Sequence, residues 1–167
     1  MSLDLQPLAD WLTKTSLSAF VNNHAWVWPA CESLHFVGLA LLVGNVGLLD
    51  LRLLGFEKRL PVMAVNRFVR WGVLGFAINL VTGIFFFAGN PAQYIHNIAF
   101  GWKVAFIALA GVNVLVFYAT GMARVVKALG PGDDAPVLVK VIAATSLVLW
   151  IGVMYMGRML PYIGNSF

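Results

Sequence analysis

The stretch WGVLGFAINLVTGIFFFA, residues 71–88, contains no charged side chain. At about 1.5 Å rise per residue, a helix of this length crosses most of the ~30 Å hydrocarbon layer of a bilayer. Three further apolar runs flank it, from about Trp26 to Leu49, Trp102 to Met122, and Val137 to Tyr155. The pattern predicts an all-α membrane protein, a bundle of four transmembrane helices forming a single domain over residues 1–167. Composition agrees. Of 167 residues 60% are hydrophobic and 11% charged, with a mean hydropathy of +0.85, whereas a soluble domain carries about a quarter charged residues to face water. Lipid must therefore solvate much of the surface.

The connectors carry turn chemistry. Gly55 and Pro61 punctuate the first, Asn90-Pro91 reads as an N-cap followed by proline in a first helical turn, and Gly130-Pro131-Gly132 breaks the third ahead of Pro136. Ahead of the first span, Leu5, Leu8, Trp11 and Leu12 recur at helical spacing, which predicts an interfacial amphipathic helix over about residues 3–20. Asp4 and Asp10 precede the first basic residue, Lys14, so the segment reads as retained rather than as a cleaved signal.

The charges are placed unevenly. Arg52, Lys58, Arg59, Arg67, Arg70, Arg124, Lys127 and Lys140 fall in the first and third loops and their flanks. Only Lys14, Lys103 and Arg158 fall on the other side. Basic loops remain in the cytoplasm, so both termini are expected in the periplasm. The net charge of +4 is then a topology signal and not a nucleic-acid footprint. Asp50, at the end of the first span, is expected to pair with Arg67 or Arg70. Asn45, Asn79 and Asn113 are expected to bond between helices.

Titratable groups in a membrane are costly, which directs attention to HAWVWPACESLH, residues 24–35. Cys31, Glu32 and His35 lie within about one helical turn of one another. From a helix start near Trp26, His35 lies roughly 13 Å along the axis. His24 and His96 fall on the same side of the membrane. Three chemistries suit this arrangement. His35 can hydrogen-bond Glu32 or a neighbouring helix in a cofactor-free scaffold. His35 can ligate b-type haem, with His96 or His24 as the second ligand, Gly38 leaving room for the ring, Lys103 and Arg158 meeting the propionates, and Glu32 orienting an imidazole or carrying a proton. Or Cys31, His35 and the methionines of MYMGRM (residues 154–159) can bind copper or pass it across the membrane. The lone cysteine allows no internal disulfide, and HExxH, CxxC, CxxCH and phosphate-loop motifs are absent. The reading taken forward is haem b serving electron transfer or redox sensing. Its partners would be the lipid bilayer, a quinone or periplasmic redox protein and, in an oligomer, further copies of the chain.

Trp28-Pro29-x-x-Glu32-x-x-His35-x-x-Gly38, Asp50-Leu-Arg52-Leu-Leu-Gly55 and Gly75-Phe76…Thr82-Gly83 resemble an uncharacterised group of small bacterial inner-membrane proteins, over about Trp26 to Arg158. The layout is also loosely similar to copper-resistance D proteins and b-type cytochrome subunits. The resemblance implies a four-helix fold in a bacterial inner membrane and brings no activity with it.

Overall fold

The computed structural model describes residues 6–163. These form α1 (Gln6–Thr13), α2 (Ser16–Asn23), α3 (Val27–Leu54), α4 (Val62–Asn66), α5 (Val69–Gly89), α6 (Pro91–Ile95), α7 (Ile98–Ala119), α8 (Met122–Ala128) and α9 (Val137–Met159), with no strand among the described residues. Four segments are long and apolar enough to cross a membrane: Val27–Leu54, Val62–Gly89, Ile98–Ala119 and Val137–Met159. The fold is therefore an all-α multi-pass membrane bundle.

Local chemistry sets where each helix ends. α3 runs on past Leu49 until Gly55, whose φ of 107° suits glycine alone, turns the chain and returns its amide to Arg52 and Leu51. α7 starts before Trp102 because Asn97 caps it, accepting from the amides of Ala99 (2.9 Å) and Phe100 (3.3 Å). The expected N-terminal interfacial helix is instead two helices. Thr15 breaks it, capping α2 by accepting from the Ser18 amide at 3.3 Å. Residues 3–5 of that expected helix, Leu5 included, lie outside the described residues.

The bundle is two helical hairpins placed side by side. α3 packs against α5, α7 packs against α9, and α3 meets α9 along the seam between the pairs. The α3–α5 contact is a close backbone approach. A methyl group added at Gly38 would stand 2.9 Å from the Gly75 carbonyl and 3.0 Å from Asn79 Oδ1, and one added at Gly75 would run into the Gly38 carbonyl. Helices in lipid have little hydrophobic drive to associate, so small residues that allow such approach supply the packing. Elsewhere in the bundle, side chains hold main chain across elements. Asn113 donates to the Ile142 carbonyl (3.0 Å), Asn97 to Leu160 (2.9 Å) and Asn22 to Gly89 (3.1 Å). Of the three expected interhelical asparagines only Asn113 acts so. Asn45 donates to its own helix at Leu41 (2.6 Å), and Asn79 Oδ1 is buried without a partner.

The end carrying the first and third loops, here called the basic end, is locked by polar contacts. Arg52 is 2% exposed. Its guanidinium donates to the carbonyls of Leu60 (2.7 Å), Gly130 (3.4 Å) and Asp133 (3.5 Å). Asp134 bridges Lys58 (2.9 Å) and Lys140 (2.7 Å), while the Gly132 amide donates to the Lys58 carbonyl at 2.8 Å. An apolar cluster of Leu53, Val62, Val126, Ala135, Val139 and Ala143 packs beneath. The ion pair expected between Asp50 and Arg67 or Arg70 does not form. Asp50 and Arg52 point about 200° apart around α3, so Asp50 turns inward to the Ser146 hydroxyl of α9 while Arg52 turns to the loops.

The Lys140 and Lys58 ammonium groups hydrogen-bond Asp134 and lower its pKa to about 2. A lowered carboxylate pKa gives support that is complete above the unfolded value of about 3.9 and is lost as pH falls through the folded one. Amide exchange across residues 56–61 and 130–136 should therefore quicken between about pH 4 and pH 2. Asp134→Asn should show the fast exchange already at neutral pH.

Candidate functional site

The intramembrane histidine sits where α3 and α5 lie closest. Because Gly38 and Gly75 bring the two backbones together one turn away, His35 reaches Thr82 directly, with Nδ1 2.7 Å from Thr82 Oγ1. Thr82 is buried, and its hydroxyl lies 2.8 Å from the Ile78 carbonyl of its own helix. A hydroxyl has one proton to give. The carbonyl can only accept, so when the threonine proton lies on Ile78, Thr82 Oγ1 accepts in turn from His35 Nδ1–H. In that arrangement the imidazole is the Nδ1–H tautomer and Nε2 keeps its lone pair. Nε2 has no hydrogen-bond partner among the described residues. The Phe86 ring stands edge-on to the imidazole at 5.5 Å, and Trp28 lies 5.1 Å behind Phe86.

Other polar groups face this region from neighbouring elements. Glu32, one turn before His35, is exposed and does not orient the imidazole; Thr82 does that. Tyr94 of α6 has its hydroxyl pKa pushed up by burial, and the negative charge of Glu32 adds to the effect. Lys103 of α7 lies close enough to His35 to act on it electrostatically, with its side chain running along Gly157 of α9. Arg158 is exposed, and its guanidinium carbon stands 5.9 Å from the centre of the Tyr162 ring.

The other two histidines have partners of their own. His24 Nδ1 lies 2.9 Å from the Phe20 carbonyl, and the two rings are 4.7 Å apart. His96 Nε2 lies 3.3 Å from Gln6 Oε1. Both are exposed, and His96 also borders a shallow recess with Asn97, Gly101, Trp102 and Ala105. Cys31 is buried in an apolar cluster with Val21 and Val27, under Leu17, Trp28, Phe85 and Phe86. Among the described residues, no group of three or more His, Cys, Asp or Glu converges to hold a metal ion. Gly38 faces the α5 backbone, so the space beside it is filled by protein.

Thr82 is the site residue that sequence reasoning passed over. Its signal was a hydroxyl in an otherwise apolar span, on a helix that a short first loop makes an antiparallel neighbour of α3. Replacing it tests the relay. Thr82→Val keeps the shape and leaves Nδ1 unpaired. It should cost about 0.5–2 kcal/mol of stability in detergent and mix the His35 tautomers in imidazole nitrogen NMR. Thr82→Ser should restore both.

Comparison with curated proteins and with solved structures found no match. Among protein families, one of unknown function matches residues 10–165, nearly the whole chain and every element of the site described above. The protein therefore belongs to the family of unknown function DUF6644.

Proposed function

We propose that this protein binds b-type haem through His35 and serves electron transfer or redox sensing in a bacterial inner membrane. The observation that carries the reading is the relay from His35 Nδ1 through the Thr82 hydroxyl to the Ile78 carbonyl. Histidines that ligate metals commonly donate their other ring N–H in this way, which fixes the tautomer and raises the basicity of the free nitrogen. A neutral imidazole sunk between helices, with Nε2 open, is a prepared ligand.

Haem is favoured over a bare ion by a count of ligands. Zinc asks for three or four protein donors, and no such group of His, Cys, Asp or Glu converges among the described residues; the thiol that copper would use, Cys31, is buried in an apolar cluster. An iron porphyrin brings four nitrogens and needs one or two more donors. Haem bound there would supply one-electron iron chemistry, whose potential the axial ligand and its hydrogen bonds tune. The chain's own contribution is otherwise positional. Thr82 holds the imidazole, Phe86 shields its edge, and Lys103 offers a cation to a propionate near the same end of the bundle.

The fit extends to one axial ligand. His96 or His24 would serve as the second only by giving up its present bond to Gln6 or to the Phe20 carbonyl. His35 of a further copy of the chain is the other source, with the ring held at a subunit interface. Arg158 would meet the second propionate only if it left the Tyr162 ring. The electron partner would be a quinone or a periplasmic redox protein. The basic end, with eight of the eleven lysines and arginines, faces the cytoplasm in this reading. Both termini and the His35 half of the bundle then face the periplasm.

Protein purified in mild detergent from haem-replete cells should show a Soret band and reducible α and β bands. His35→Ala should abolish them, whereas His24→Ala and His96→Ala should leave at least one haem species. Colourless wild-type protein of intact fold removes the proposal, and stoichiometric copper in its place favours the sulfur-rich alternative. For topology, alkaline phosphatase joined after Phe167 should be active and a fusion at Gly132 inactive. The reverse pattern inverts the orientation.

A further inference from the structure

Asp50 lies on the seam between the two hairpins, 6% exposed. One contact reaches it from α9, the Ser146 hydroxyl, and its Oδ2 is fully buried with no partner. No Lys, Arg or His nitrogen of the described residues lies within 4.0 Å of the carboxyl group. The cations of the surrounding elements are accounted for. Arg52, on the same helix, is spent on the carbonyls of Leu60, Gly130 and Asp133. Lys140 of α9 is held by Asp134, α4 carries no charged residue, and the one charged residue of α5, Arg70, makes no ion pair with Asp50.

An ionised carboxylate in this setting would have lost its water and gained one hydroxyl in exchange. Buried charges are tolerated when paired or fully hydrogen-bonded, and otherwise the group becomes neutral. We infer that Asp50 is a proton-binding site, standing as the undissociated carboxylic acid at neutral pH. The acid form removes the unpaired charge and turns one oxygen into a donor, for which the Ser146 oxygen is an acceptor at hand. Along α3, Asp50 lies about 22 Å from His35, near the opposite end of the bundle, so the inference stands apart from the haem reading. What the site takes is a proton; the same geometry holding a monovalent metal cation would keep the carboxylate ionised.

Infrared spectra of the full-length protein in detergent at pH 7 separate these. Wild type should show the C=O stretch of an undissociated carboxylic acid, shifted to lower frequency in D2O. Asp50→Asn, which keeps the shape and stays neutral, should lose that band, while Glu32→Gln should keep it. A wild-type spectrum with no acid band at pH 7, in the presence or absence of sodium, overturns the inference. So does a band that survives in Asp50→Asn. Should that variant not fold, the wild-type spectrum together with Glu32→Gln decides alone.

Discussion

The close approach of α3 and α5 at Gly38 and Gly75 is the contact on which the rest of the structure depends. Two backbones this near leave no room for a side chain between them. What they leave on either side is consequently fixed in register. One turn toward the chain termini, that register sets His35 against Thr82. At the level of the glycines it sets Asn79 Oδ1 against Gly38. A wider crossing, such as leucine at either position would impose, would separate the imidazole from its hydroxyl and leave a polar nitrogen facing hydrocarbon. Packing and polar chemistry are thus one constraint in this hairpin.

The second hairpin is joined differently. α7 and α9 pack through larger side chains, with the Phe106 ring lying over Gly152 and Asn113 reaching the Ile142 carbonyl. Between the hairpins, the α3–α9 seam carries Asp50 with Ser146 at its basic end, and the loops above it are sewn together by Arg52 and Asp134. Arg52 shows why a charge inside a membrane protein need not be functional. Its guanidinium has three carbonyl groups in a fixed fork, and the planar donors of arginine suit that geometry. Asp50, two residues earlier, has no comparable set of partners.

The same accounting separates the histidines. A polar group with all its partners present is explained by the fold. His24 and His96 each bond through one ring nitrogen and are exposed, so the other nitrogen is open to solvent and needs no partner from the fold. His35 is satisfied at Nδ1 and open at Nε2, and that open nitrogen is the observation a function must use. Cys31, sealed among aromatic and aliphatic side chains, offers no soft-metal position to go with it.

The sequence by itself determined the class of molecule. Hydropathy and the scarcity of charge demand four apolar spans, because a chain this poor in charge cannot cover itself in water, and each span must satisfy its own backbone hydrogen bonds as a helix. Helix ends were legible to within a few residues where Gly55 and Pro136 act locally, whereas the Asn97 cap, which starts α7 ahead of Trp102, was not. His35 was legible as an anomaly for the same reason: one imidazole in hydrocarbon is visible without knowing its neighbours. The tertiary structure alone decided what each polar residue meets. The pairing of His35 with Thr82, the separation of the three histidines, the inward turn of Asp50 and the loop carbonyls around Arg52 all depend on which helix lies beside which and in what phase. Within an apolar span the outward faces see lipid and the inward faces see other apolar helices, so hydropathy looks alike all round. Helix phase is then set by contacts between residues far apart in the chain, which no local pattern records.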